Sequence, residues 1–174
     1  MADLVISYPK VSESDYNWIQ DYRSKFDRKY YSVVKPHLTF VFPVSDIREQ
    51  EFIEEIERQS ALLKKFDIEF KVATINYDPF GKYYHEFLVP ETGYAEVVKA
   101  HDRLYSGALR KVLRLDIDFI PHMGIGNAEK VEESKIRVDE LNSKPISVCG
   151  SIDALDIVRF ENDTVSTIKQ ISLQ

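Results

Sequence analysis

The chain has 174 residues, of which 44% are hydrophobic, and its formal net charge is -6. A chain of this length buries about two-thirds of the surface that it exposes when unfolded, so we expect residues 1–174 to form a single two-lobed domain. The negative charge argues against a long, nonspecific grip on duplex DNA, and no stretch approaches the roughly 20 apolar residues that span a membrane.

The first half of the chain alternates strand and helix patterns. Apolar residues at helical spacing, such as Phe52 and Ile56, indicate helices, and alternating apolar and polar residues indicate strands. The predicted elements are, in order, a strand over 3–9, a helix over 12–29, a strand over 37–43, a helix over 46–66 and a hairpin of strands over 67–78 and 82–90.

The second half continues in the same way. Its predicted elements are a helix over 94–114, a strand over 116–126, a helix over 127–142 capped by Asn127, and a terminal hairpin of 145–160 with 164–173. Hairpins mixed with helices favour an α+β fold: two pseudo-symmetric lobes of antiparallel sheet with flanking helices around a central cleft. The single cysteine, Cys149, has no partner for a disulfide or a zinc site and is predicted to be a small buried strand residue.

Two short patterns, one in each half, match each other. "KPHLTFVF" and "IPHMGIGN" share the order proline, histidine, apolar, small, apolar, and each lies on a predicted strand. Because side chains alternate along a strand, His37 and Thr39 project to one side, and so do His122 and Gly124. Two lobes that face each other would bring both histidines into the cleft.

Two facing histidines suit phosphodiester chemistry. An imidazole titrates near neutral pH, so one ring can take a proton from a nucleophile while the other gives one to a leaving oxygen. The hydroxyl of Thr39 can donate to a non-bridging phosphate oxygen, and Lys35, two residues before His37, is a candidate phosphate contact. This scheme requires no metal and no cofactor.

These residues resemble the 2H phosphoesterases, the family of 2'-5' RNA ligase-like proteins and cyclic phosphodiesterases. That family carries two His-x-Thr/Ser motifs, one in each lobe, and the resemblance spans nearly the whole chain. It implies a bilobal α+β fold and metal-independent hydrolysis of a 2',3'-cyclic or 2'-5'-linked phosphodiester in a nucleotide or at an RNA end. His37 and His122 would be the acid–base pair and Thr39 a phosphate anchor.

The second motif departs from the family pattern, because Gly124 stands where a hydroxyl residue is expected. The loss of one such donor lowers a rate by about 10²- to 10³-fold when the donor stabilises transition-state charge. The backbone amides of Gly124 and Gly126, the hydroxyl of Ser32 or a tyrosine are the candidate replacements.

Aromatic and basic residues suggest further contacts. Tyr83 and Tyr84 point to opposite faces of their strand; Tyr83 is the candidate for stacking on a base. His85 is interpreted as a sheet-face histidine, with substrate contact as the alternative. Four basic residues would form a positive stripe on the helix over 94–114 if Gly107 does not break it: Lys99, Arg103, Arg110 and Arg114.

Three hypotheses follow for the function. The first is a 2H-type phosphodiesterase that acts on a nucleotide or RNA end. The second is a nucleotide- or RNA-binding domain of the same fold that has lost efficient catalysis, which Gly124 favours. The third is a metal site built from His37, His122 and His85, against which the lack of a short histidine spacing argues. We expect a cytoplasmic protein, because the N-terminus shows no signal-peptide pattern. A monomer is the default expectation for its oligomeric state.

Overall fold

The computed structural model describes residues 1–174 and shows an α+β fold with two antiparallel sheets, which confirms the predicted class. The first sheet has the order β3-β1-β8-β9, with β1 at Ala2–Ser7, β3 at Leu38–Val44, β8 at Ala154–Glu161 and β9 at Thr164–Ser172. The second has the order β2-β7-β4-β5-β6, with β2 at Lys10–Val11, β4 at Phe66–Asp78, β5 at Tyr83–Thr92, β6 at Met123–Ala128 and β7 at Val148–Ile152.

Four helices cover the sheets: α1 at Glu13–Phe26, α2 at Glu49–Ser60, α3 at Tyr94–Leu104 and α4 at Val131–Asn142. Helix α1 begins where the Ser12 hydroxyl accepts a hydrogen bond from the Asp15 amide at 3.1 Å. Helix α2 buries Phe52 and Ile56 in the core, as its apolar spacing predicts. None of the four helices is long and apolar enough to cross a membrane.

The two sheets do not follow the two halves of the sequence. Strands β4 and β5 come from the first half but pair with each other and with β6 and β7, while β8 returns to pair with β1. Each sheet therefore combines strands from both ends of the chain. The two Pro-His patterns still fall on different sheets. The first pattern leads into β3, an edge strand of the first sheet, and the second leads into β6, an edge strand of the second sheet.

All four helices are shorter than the sequence predicts, and α2 spans only Glu49–Ser60 of the predicted 46–66. Helix α3 ends at Leu104, and a 3-10 helix over Ala108–Val112 follows Gly107. A Cβ atom at Gly107 would lie 1.7 Å from an oxygen of the buried Glu55, whose carboxylate accepts a hydrogen bond from the Ala108 amide at 2.9 Å. The break divides the predicted basic stripe between two helices and a loop. Helix α4 begins at Val131, because Asn127 is buried on β6 and caps no helix.

Two further residues, Cys149 and His101, differ in burial. Cys149 is exposed, so the prediction of a buried residue is wrong; strand alternation turns its neighbour Val148 inward instead. His101 is structural: it is buried, and its Nδ1–H donates to the Phe40 carbonyl at 2.9 Å.

Candidate active site

A cavity of about 560 Å³ lies between the two sheets. Residues of β3, β5 and β6 and of the adjoining loops line it, among them His37, Thr39, His85, Phe87, His122 and Gly124. Four of the six main candidate site residues therefore meet in one place: His37, Thr39, His122 and Gly124. His85 and Gly126, which the sequence analysis also considered, line the same cavity. The cleft that the matched patterns predict exists, and each pattern reaches it from a different sheet.

The two histidines are held in the same way. The Nδ1–H of His37 donates to the carbonyl of Lys35 at 2.8 Å, and the Nδ1–H of His122 donates to the carbonyl of Ile120 at 2.5 Å. A proline separates each histidine from its acceptor, and a residue before proline is restricted to extended conformations. The Pro-His sequence thus fixes the ring and its tautomer, and it leaves Nε2 of both rings available for chemistry.

Burial shifts the proton affinity of both rings downward. It lowers the pKa of His37 to about 4, an effect that the positive charge of Arg23 reinforces and the bond to Lys35 partly offsets. It also lowers the pKa of His122 to about 4, with smaller contributions from His85 and His37. Both are neutral at pH 7 when the cavity holds no anion.

The partner positions of the two histidines differ. Thr39 is half-buried on β3, whereas Gly124 faces the cavity opposite Phe87 of β5. A Cβ atom at Gly124 would have no neighbour within 4 Å, and the backbone there does not have a positive φ. Neither packing nor backbone conformation requires glycine at this position, so a larger side chain would fit.

Gly126, the second glycine of the pattern, is required by the packing around it. A Cβ atom at Gly126 would lie 2.5 Å from the carboxylate of Glu86, which is fully buried. That carboxylate forms an ion pair with Arg137 at 2.6 Å and accepts a hydrogen bond from the hydroxyl of Tyr22 at 2.9 Å. Gly126 therefore makes room for a buried charge network behind the cavity.

Two residues singled out in the sequence do not line the cavity with their side chains. Lys35 lies before β3, which begins at Leu38, and its side chain is exposed. Its backbone carbonyl accepts the hydrogen bond from His37. Tyr83 is 3% exposed, its hydroxyl is 2.7 Å from that of Tyr30, and burial raises the pKa of its phenol. Two other aromatic residues of the lining are partly exposed, Tyr30 at 38% and Phe80 at 63%. Tyr77 is also exposed, but its ring packs on that of Tyr84, its partner across the β4–β5 pair, on the sheet face opposite His85.

A buried ion pair that sequence reasoning missed joins the two motif regions. Arg23 and Asp27, 2% and 4% exposed, lie 2.8 Å apart at the cavity wall. Arg23 also donates to the Val34 carbonyl at 2.8 Å, three residues before His37, and Asp27 accepts from the side chain of Asn127 on β6 at 2.7 Å. Their i, i+4 spacing is common on helix surfaces, so it carries no sign of burial.

The cavity is acidic apart from its histidines. Arg23 is the only lysine or arginine among the lining residues, and four aspartates stand beside it: Asp27, Asp78, Asp116 and Asp118. Asp27 is neutralised by Arg23, and Asp116 by a bidentate pair with Arg114 at 2.6 and 2.7 Å. No group of three or more His, Cys, Asp or Glu side chains has an arrangement that could hold a metal ion.

The model of one protein family, the 2'-5' RNA ligase superfamily, matches residues 11–164. No curated protein sequence matches the chain.

Several solved structures share the fold at low identity. TT0787 of Thermus thermophilus aligns with a TM-score of 0.61 and 16% identity over 99% of this chain and 98% of its own. LigT of E. coli in complex with 3'-AMP aligns at 0.59 and 11% over 99% of both chains. Usb1 of Kluyveromyces marxianus aligns at 0.57 and 11%, with 96% of this chain and 97% of its own covered.

Proposed function

The chain belongs to the 2'-5' RNA ligase superfamily, and we propose that it hydrolyses a phosphodiester with His37 and His122 as a general acid–base pair. The resemblance of its two Pro-His patterns to the 2H phosphoesterases is confirmed at the level of the family. The observation that carries the proposal is the shared cavity, in which two equivalently held imidazoles approach from two different sheets.

Each group has a defined part in the opening of a 2',3'-cyclic phosphate. A water oxygen bonds to phosphorus as Nε2 of the neutral histidine takes its proton. The bond from phosphorus to one ribose oxygen breaks, and the imidazolium on the other side gives that oxygen its proton. The hydroxyl of Thr39 donates to a non-bridging oxygen. Because Nε2 is available on both rings, the orientation of the substrate decides which histidine is the base.

Binding of the anionic substrate produces the protonated histidine that this scheme needs as its acid. With a pKa of about 4, His37 and His122 are both neutral in the free protein at pH 7, so neither can act as an acid. An anionic phosphate next to an imidazole favours its charged form and raises its pKa. Binding of the phosphodiester is therefore coupled to the uptake of the proton that is later given to the leaving oxygen.

The charge and size of the cavity favour a small substrate. A volume of about 560 Å³ falls within the roughly 300–1,000 Å³ of small-molecule sites. Asp78 and Asp118 carry no neutralising arginine or lysine, and such an edge repels a polyanion. The structure of LigT contains 3'-AMP, a mononucleotide, which agrees in size. We propose a 2',3'-cyclic or 2'-5'-linked substrate of one or two nucleotides, with its base on Phe80.

Hydrolysis assays in EDTA test the proposal. The panel contains 2',3'-cyclic mononucleotides, 2'-5'-linked dinucleotides and longer oligonucleotides with a cyclic phosphate end. We expect wild type to cleave the small substrates best, and His37→Ala and His122→Ala each to lose about 10²- to 10⁴-fold in kcat. Tyr84→Phe, on the strand face opposite His85, is the control. Activity that requires a metal, or that survives either histidine substitution, would contradict the mechanism.

A second candidate is a nucleotide-binding protein without turnover. The empty space at Gly124 favours it, because one expected phosphate donor is missing. Wild type that binds 3'-AMP but cleaves nothing on the panel would select this candidate.

A further inference from the structure

His85 lies in the cavity and has no assigned task. It stands on β5, and its side chain retains 21% exposure. Neither ring nitrogen makes a hydrogen bond with the protein; the nearest charged group is the carboxylate of Asp78, 3.8 Å from Nε2. Both ring nitrogens are therefore free to bind a ligand in the cavity.

The ring of His85 belongs to an aromatic wall that leads to His122. Its centroid is 5.0 Å from that of Phe87, which in turn is stacked at 3.6 Å on His122. Phe87 is also the residue that faces Gly124 across the β5–β6 pair. The open space at Gly124 therefore borders this wall, with His122 at one end of it and His85 at the other.

Few other cationic side chains are free to bind an anion in that space. Arg23 is paired with Asp27 and Arg114 with Asp116, and no lysine lines the cavity. Lys29 lies over the ring of Tyr83, 4.3 Å from its centroid, and outside the lining. Apart from His37 and His122, to which the proton transfers are assigned, His85 is the side chain of the lining that can become positive without first losing a partner.

We infer that His85 is a third histidine of the site, which as an imidazolium holds the anionic phosphate on the His122 side, where Gly124 supplies no hydroxyl. This inference rests on the proposed phosphodiester chemistry. His85 would serve as a binding residue, while the proton transfers stay with His37 and His122. Asp78 stabilises the charged ring in the way that a carboxylate orients and supports an imidazolium.

The charged groups around His85 set the direction of the pH dependence. Burial lowers the pKa of His85, Asp78 and Asp27 raise it, and Lys29 lowers it; His122 is neutral near pH 7. The rings of Tyr30 and Tyr83, with centroids 6.2 and 4.6 Å from that of His85, complete its surroundings. A bound anion favours the charged ring, so affinity for an anion should fall as the pH rises.

Sulfate is a suitable probe, because it is tetrahedral and does not titrate near neutral pH. We would follow the ring signals of the histidines by NMR while sulfate is added at pH 5.5, in wild type, His85→Gln, Gly124→Ser and the double variant, with Tyr84→Phe as control. We expect sulfate to raise the pKa of His85. We expect His85→Gln to bind sulfate about tenfold more weakly, as for the loss of one charge-assisted contact, and Gly124→Ser to restore most of that loss.

Three results would overturn the inference: unchanged sulfate affinity in His85→Gln, ring signals of His85 that do not respond to sulfate, or no recovery in the folded double variant. The reaction is tested separately. Weaker sulfate binding by His85→Gln with an inert wild type would leave the inference standing and remove the proposed hydrolysis. Hydrolysis by wild type with unchanged sulfate affinity in His85→Gln would remove the inference alone.

Discussion

The two Pro-His sequences lie immediately before β3 and β6; they hold their histidines alike and differ two residues after the histidine. In both, a proline keeps the preceding residue extended, and the carbonyl of that residue accepts the Nδ1–H of the ring. On β3 the next side chain on the cavity wall is Thr39, and on β6 it is Gly124, beside empty space. The two histidines are therefore held symmetrically, while the positions two residues after them are not equivalent.

The largest expected effect comes from the link between the two regions. Asp27→Asn leaves the buried Arg23 without its counter-charge and weakens the contact to Asn127, so the free energy of unfolding should fall by about 3–5 kcal/mol. Urea denaturation measures the change. The control is Asp21→Asn, which breaks an exposed i, i+4 pair with Lys25 and should change stability by less than about 1 kcal/mol. Equal losses in both variants would show that the buried pair does not join the regions.

Thr39→Val removes the hydroxyl from the complete motif and keeps the shape of the side chain. If that hydroxyl stabilises charge on a phosphate oxygen, kcat should fall by about 10²- to 10³-fold with little loss of stability. Thr167→Val, an exposed change on β9, is the matched control. A kcat within about threefold of wild type would show that Thr39 does not bind the phosphate, so that neither motif provides a catalytic hydroxyl.

The pH profile tests the symmetry of the two rings. Since the pKa of each is about 4, protonation of either becomes rarer as the pH rises, and kcat/KM should fall about tenfold for each pH unit between pH 5.5 and 8. The bound anion raises the pKa of the acid, so kcat should begin to fall at a higher pH than kcat/KM does. A kcat/KM that is flat from pH 6 to 8 would contradict the neutral state of both rings in the free protein.

Gly124→Ser should make the second motif resemble the first. The open space accepts the side chain, and the new hydroxyl should raise kcat by about tenfold, the effect of one hydrogen bond to a charged group. The gain is smaller than the loss in Thr39→Val because His85 already serves this side. Gly124→Ala separates the hydroxyl from the added bulk. If alanine and serine give the same rate, the asymmetry of the two motifs has no bearing on catalysis.

Local patterns predicted what depends on neighbouring residues. The matched Pro-His sequences predicted the pair of histidines, because proline and strand alternation act within a few positions. Apolar spacing predicted the core face of α2 in the same way, whereas α1 buries Ile19 and Arg23 and leaves Trp18 exposed. These signals place a side chain on one face of one element, and the cavity follows from two such placements.

Contacts between distant residues could not be predicted from the sequence. The predicted helix over 94–114 is interrupted near Gly107, where the carboxylate of Glu55 occupies the space that a side chain would need, and no local pattern reveals that contact. Tyr83 is buried under Tyr30, although alternation alone allowed it to face a ligand. The return of β8 to the first sheet decides which strands become edges, and sequence order did not show it.

The most direct test of the central claim is a double-mutant cycle of kcat on His37→Ala and His122→Ala with a 2',3'-cyclic mononucleotide. Groups that act as one unit lose their effect together, so the double variant should be no slower than the slower single variant, within about threefold. Losses that multiply in the double variant, or a single variant that keeps the wild-type rate, would contradict an acid–base pair formed by the two strands.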